Sequence, residues 1–495
     1  MQIPTKNGWW VYACTALFLA LNLFCIYNEF YLLSVLPIAV ILVAAAFFAL
    51  DKLLLIIAFM APLSVPLSEL VEGLPVDLFL PTEPLLVGIM LLFIFKIISD
   101  KRFDKRILTH PVSITIYIYL AWMFITCVMS ENPLVSFKFL LSRLWFIIPL
   151  YFIMTQVFRK DENNAKTFVI LYAVTLCIVV VYALVRHAKY GIFDEKIAHW
   201  SANPFYKDHT SYGALLAFYI PPVIALAFSK LIDPRKRATF LFMAVLLIVG
   251  IIFSYTRAAW LSLVGAFGIW CCYKLRIKLT TIVAIVGVAA IGFFTFGDML
   301  MRDLENNDQD SSTDFVEHLQ SMANISTDAS NMERINRWNC AGRMFLERPV
   351  FGWGPGTYMF YYAPFQISYE KTIISTNEGD MGNAHSEYLG PLAEEGVLGP
   401  ITLLAVMIAT IITGFRAIHR TRANHPLLYT IGLAAIVGLF TYYFHGVLND
   451  FLDTDKASVP FWGFTALLVA IDVYYSDGDD AANRKSIADS CDADS

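Results

Sequence analysis

The chain has 495 residues, 58% of them hydrophobic and 16% charged, with a formal net charge of −5 at pH 7 and a mean hydropathy of +0.60. Soluble globular chains are about 45–50% apolar and about 25% charged, so a water-soluble globule is excluded, and no basic block points to a nucleic-acid partner. The eight cysteines form no paired loop framework and no C-x-x-C pattern: Cys14, Cys25, Cys127, Cys177, Cys271 and Cys272 lie in apolar segments, Cys340 in a loop and Cys491 in the tail.

Apolar runs recur along most of the chain. Runs of about 18–25 residues can cross a bilayer core as helices, which satisfy their own backbone hydrogen bonds where lipid cannot. Fourteen spans are expected: 8–27, 30–49, 53–71, 81–98, 112–129, 138–157, 165–186, 211–231, 237–254, 257–274, 278–297, 398–415, 426–445 and 458–475. The first lacks an A-x-A cleavage pattern and leads straight into the second, so a membrane helix is expected rather than a cleaved signal. The span 138–157 contains Arg143, and 257–274 begins at Arg257.

With the N-terminus in the cytoplasm, the short basic segments fall on one side: Lys96 to Arg106, Arg159-Lys160, Arg235 to Arg237, Lys274 to Arg276 and Arg416 to Arg422. The expected architecture is an all-α polytopic transmembrane helix bundle in a bacterial inner membrane, with both termini cytoplasmic. Spans 1–11 occupy 1–297, a periplasmic loop with amphipathic helices 298–397, spans 12–14 398–475, and an acidic cytoplasmic tail 476–495.

The loop changes character midway. Its first part is acidic, as in Asp303 to Asp310, and reads as a solvated spacer. From Asn331 the pattern turns helical, with Ile335, Trp338, Ala341 and Phe345 on one face beside Arg334 and Arg337, as expected of an amphipathic helix on the membrane or over a cavity. Pro349 to Gly356 follows as a glycine-rich turn; it does not follow a strand, so a nucleotide fingerprint is not supported. The loop closes on Gly382 to Gly399, where Ser386 is positioned to cap a short helix, Pro391 to kink it, and His385 to sit at its start. Glu394 and Glu395 are read as structural, and Gly396 and Gly399 as sites of close helix packing. His445, Asp450 and Asp453 follow the thirteenth span on the same side.

These residues resemble the O-antigen ligase and O-antigen polymerase (Wzy-type) superfamily, which also includes protein O-oligosaccharyltransferases. Ser254-Tyr255-Thr256-Arg257-Ala258 is like the family's Ser-x-[Ser/Thr]-Arg-[Gly/Ala] turn. Arg334 with Trp338, then Pro349 to Gly356, is like R-x-x-x-W…P-x-x-G-x-G-x-G. His385-Ser386 with Leu389, Glu395, Gly396 and Gly399 is like H-[Ser/Asn]-x-x-L…E-x-G-x-x-G. The match runs over roughly 200–445. The loop's acidic first half and the number of spans depart from the family, and its arginine ahead of the span at 211 has no clean counterpart: Arg186, Lys207 or His209 could fill that role.

The resemblance implies a GT-C-like, metal-independent glycosyltransferase without cofactor. It would move a glycan from undecaprenyl diphosphate to lipid A–core, to another glycan or to a protein, among membrane lipids. Arginine is matched to phosphate oxygens, so Arg257 is expected to clamp the diphosphate, with Arg334, Arg143, Lys207, His209 and Arg186 as further candidates. His385, whose imidazole titrates near neutrality, is the expected catalytic residue that activates the acceptor. A snorkelling role for Arg257 and an ion pair within the bundle for Arg143 are the structural alternatives. A transporter or lipid flippase is the non-enzyme rival, but no internal repeat supports it.

Overall fold

The computed structural model describes residues 9–27, 49–69, 78–100, 103–277, 281, 329–372, 375–376 and 382–476. The expected spans 30–49 and 278–297, apart from single residues, and the acidic stretch 298–328 and the tail from Asp477 lie outside the described residues. The chain divides into two compact units, Met1–Ile56 and Ile57–Ser495. The first holds helix α1 (Trp9–Tyr27) and the start of α2 (Leu50–Met60).

In the second unit the helices are α3 (Thr82–Asp100), α4 (Pro111–Val128), α5 (Pro133–Lys160), α6 (Asn163–Tyr190), α7 (Glu195–Ser201), α8 (His209–Phe228), α9 (Pro234–Phe253), α10 (Arg257–Lys274), α11 (Ala329–Glu347), α12 (Leu389–Glu395), α13 (Leu398–Thr421), α14 (Pro426–His445) and α15 (Asp455–Tyr474). Among the described residues nine helices are long and apolar enough to cross a membrane: α3 to α6, α8, α9 and α13 to α15. The protein is an all-α, multi-pass membrane protein. Helix starts follow local chemistry. Asp208 and Asp233 accept backbone N–H groups as N-caps, and Pro111, Pro133, Pro234 and Pro426 sit in first turns, where no donor is needed.

Packing is inverted relative to a soluble bundle. On α13, Ile401, Leu404, Ile408 and Ile412 are exposed, whereas Thr402, Thr410, Thr413, Gly414 and Ala417 are buried. Small and hydroxylated residues let helices approach, and the apolar stripe faces lipid. α5 changes to π-helical winding over Ile148–Ile153, where Pro149 removes a backbone donor.

The expected span 53–71 does not form one helix. α2 ends at Met60, a 3-10 turn comes next over Ala61–Leu63, and Val65–Pro66 pairs antiparallel with Phe79–Leu80. Pro62 and Pro66 are the physical reason, since neither supplies a donor to a continuing helix. This hairpin is fastened to α15, which is buried on nearly every side. Lys456 Nζ donates to Ser64 O at 3.0 Å and Ser64 Oγ at 2.6 Å, and the Thr82 hydroxyl bonds Asp455.

The two ends of the bundle differ. At one, Asp472 binds Arg416 at 2.6 Å and His110 at 3.3 Å, while Asp104 meets Arg159 at 3.5 Å and accepts from Tyr474 at 2.7 Å. At the other lie the starts of α8, α10 and α15, the end of α14, and the described residues of 329–397. That segment has its own small core of Cys340, Ala341, Met344, Tyr358, Tyr362, Ala384 and Ala393. The helix expected there is present as α11, and its buried face takes in Ala341 of the expected apolar row but not Ile335. Glu333, Asn336, Arg337, Cys340, Ala341 and Met344 are buried, and Ile335 is exposed. The polar part of that face is held by an Arg337–Glu333 ion pair of 2.7 Å and by Arg337 stacked 4.0 Å from the Tyr362 ring centroid.

Candidate active site

The glycine-rich turn is a docking strip for α12. Trp353 N donates to Ala393 O (3.1 Å), Gly354 N to Glu394 O (2.7 Å) and Val397 N to Pro349 O (3.0 Å). Gly352 and Gly354 have φ of +64° and +114°, and a Cβ on either would overlap Glu394 backbone or Ser130. The Glu394 carboxylate accepts from Gly356 N at 2.9 Å and Tyr358 N at 2.8 Å. Burial pushes this carboxyl up to about 7 against the pull of those two N–H groups. Glu394→Ala would strand two backbone donors, at about 1–3 kcal/mol each. Denaturant unfolding of the detergent-solubilised protein should show a loss of that order, and Glu394→Gln, which keeps one acceptor, a smaller one.

His385 follows directly on this frame. Ser386 Oγ accepts from Tyr388 N and Leu389 N, both at 3.3 Å, and so caps the entry to α12; Pro391 lies in the helix's first turn and does not interrupt it. His385 has φ of +49°, a left-handed conformation that costs about 1–3 kcal/mol in a non-glycine residue. Its N–H donates to Asn383 Oδ1 at 3.2 Å. Glu387 locks the other side by accepting from Tyr442 (2.5 Å), Phe451 N (2.8 Å) and Leu452 N (2.9 Å). Burial first, then the Arg334 and Arg337 charges, push the imidazole down to about 4, with Asp208 and Glu333 opposing.

Around His385 the chain gathers further groups. The Arg334 guanidinium lies within electrostatic reach of His209, His385 and His445, and so does the Asp208 carboxylate. Arg257 opens α10 immediately after Thr256, whose hydroxyl donates to His209 O at 2.7 Å. Gly213 makes this junction possible, because a Cβ there would overlap the Thr256 side chain. His445 lies beside the backbone of Ala258, one residue beyond Arg257, and its Nε2 is 3.1 Å from Asn449 Nδ2. The His209 ring stacks on His199 with centroids 4.1 Å apart.

Of the residues expected at the site, His385, Arg257, Arg334 and His209 thus assemble at one end of the bundle. Arg186 is engaged with its neighbours: it donates to Asn203 O and to Tyr182 at 3.1 Å and stacks on Trp200, next to the His199 ring that lies on His209. Lys207 is exposed, 5.9 Å from the Phe79 ring centroid, on the side of Asp453 and Lys456. Arg143 is buried in α5 and lines a cavity whose wall also takes in Asn383, Ala384 and Ser386, the neighbours of His385. Asp208 does not stand out as a site residue in the sequence. Its only local signal is the Asp-x-x-Ser spacing of an N-cap, which says nothing of the imidazoles it faces.

Residues 241–404 match the sequence model of a family described as O-antigen ligase. The matched stretch includes the Ser254 to Leu261 turn, Arg334, the glycine-rich strip and His385. No curated protein matches the chain. This match over one third of the chain, in the stretch that carries the motifs, supports a relationship to the O-antigen ligase and O-antigen polymerase superfamily.

Proposed function

We propose that this protein transfers a glycan from undecaprenyl diphosphate to an acceptor on the non-cytoplasmic face of the inner membrane, and that the acceptor is lipid A–core, the O-antigen ligase reaction. The observation that carries the reading is the convergence of Arg334, Asp208, His209, His385 and His445 beside the Arg257 turn. The orientation rests on the opposite end of the bundle, where Arg159, Lys160, Arg235 to Arg237, Lys274, Arg276 and Arg416 to Arg422 collect.

Bond making and breaking divide between the two kinds of group. The bond from the sugar's anomeric carbon to the diphosphate oxygen breaks, and charge grows on that oxygen. Arg257 and Arg334, fixed before the reaction, stabilise it. The acceptor hydroxyl oxygen bonds the anomeric carbon and gives its proton to His385, which is neutral at pH 7. The bound diphosphate screens Arg334, so the imidazole becomes a stronger base only once the donor is present.

A strain lacking the protein, examined by lipopolysaccharide gel, should carry complete core and no long chains. Core bearing a single repeat unit would make the protein a polymerase instead, and normal lipopolysaccharide with an under-glycosylated secreted protein would point to protein transfer.

A further inference from the structure

A cavity of about 290 Å³ lies between α5, the glycine-rich strip, the residues on either side of His385 and the turn after α14. Its size is near the lower end of the roughly 300–1,000 Å³ common for small-molecule sites. Arg143 lines it, 7% exposed, with Nε and Nη1 lacking a hydrogen-bond partner. The buried Asp450 Oδ1 lines it too and equally lacks a hydrogen-bond partner. Glu387 and Glu394, also on the wall, are engaged with Tyr442 and with backbone N–H groups. The cavity therefore presents unused donors and an unused acceptor together, and each costs free energy while unmatched.

That combination selects a ligand chemistry. An anion would satisfy Arg143 but meet the carboxylates of Asp450 and Asp453. A cation would meet the guanidinium. A hydroxyl both donates and accepts, so a polyol satisfies both. The same wall supplies ring faces for the C–H side of a pyranose: Phe139, over which Arg143 stacks at 4.8 Å, and Phe360, 42% exposed. Asn383, Ala384 and Ser386, which flank His385, complete it.

We infer that this cavity is a subsite for one neutral sugar residue, held through its hydroxyls by Arg143 and Asp450. Taken with the proposed glycan transfer, on which this part rests, its position beside His385 makes it the subsite of the acceptor's terminal sugar.

The test uses the full-length protein in lipid nanodiscs and a panel of neutral methyl glycosides, with glucuronate as the anionic counterpart, read by saturation-transfer NMR. The wild type should saturate at least one neutral glycoside and not glucuronate. Arg143→Gln and Asp450→Asn should each weaken that binding about tenfold, the value of one lost hydrogen bond near 1.4 kcal/mol. Should Arg143→Gln fail to fold, Phe360→Ala, at a partly exposed position, should weaken the same signal. In transfer assays Asp450→Asn should raise the acceptor KM by a similar factor and leave kcat nearly unchanged. No signal from any glycoside, equal binding of glucuronate, or binding indifferent to all three substitutions would overturn the inference. Glycoside binding that persists in a protein without transfer activity would instead sink the proposed reaction and leave the sugar subsite standing.

Discussion

Replacing His385 by alanine should lower glycan transfer by about 10²–10⁴-fold, the usual contribution of a positioned acid–base group, without displacing the helices. The backbone at this position is held by Asn383, Ser386 and Glu387 rather than by the imidazole. His385→Asn is the sharper variant, because asparagine tolerates the left-handed conformation and removes only the base. The pH dependence carries the same signature. With the imidazole pushed down to about 4 by burial and the neighbouring arginines, the base is lost only as pH falls through that value. The acid limb of kcat/KM should therefore lie near pH 4, below the ordinary histidine range. The limb of kcat should lie higher, since the bound donor offsets Arg334. Arg334→Gln should move the free-enzyme limb upward by removing one of the charges that depress it. Initial rates in proteoliposomes over a range of pH measure all of this, and full turnover in His385→Asn would remove the residue from the reaction.

Arg257→Ala should cost about 10²–10³-fold in kcat, comparable to deleting one preorganised donor at a site of developing charge. Arg257→Lys should restore only part of it, because an ammonium lacks the fork that binds two phosphate oxygens. The Thr256 hydroxyl, which both variants retain, fastens the turn to α8, so the turn should stay in place and the thermal transition should be checked beside the rates. Donor titration separates binding from chemistry: a rise in donor KM with kcat unchanged would make Arg257 a mere anchor for the lipid's head group.

The membrane helices are legible in the sequence because lipid imposes one strict demand, an apolar surface around a self-bonded backbone. Hydropathy therefore finds α3 to α6, α8, α9 and α13 to α15 to within a few residues. It fails at 53–71, where composition stays apolar but Pro62 and Pro66 end the helix and a hairpin takes its place. A periodic search for apolar residues chooses Ile335 and Trp338, whereas the buried face is built around the Glu333–Arg337 pair. His385, Arg257 and Arg334 can be singled out through motifs with fixed spacing. The convergence of Asp208 and His445 on them cannot, because it depends on α8 and α14 packing side by side, over 200 residues apart in the chain. Arg143 is visible as a charge inside an apolar run, but that it lines the cavity beside His385 is a matter of helix rotation.

The clasp between Lys456 and Ser64 joins positions 392 residues apart. Synthesis releases residues from the N-terminus onward, so the ribosome delivers α15, the most buried of the nine membrane-length helices, after the other described helices. Until then the faces of α5, α13 and α14 that pack on α15 are uncovered. The Lys456–Ser64 clasp therefore closes only when the last described helix arrives, and the hairpin at Ser64 is in place before the residue that fastens it.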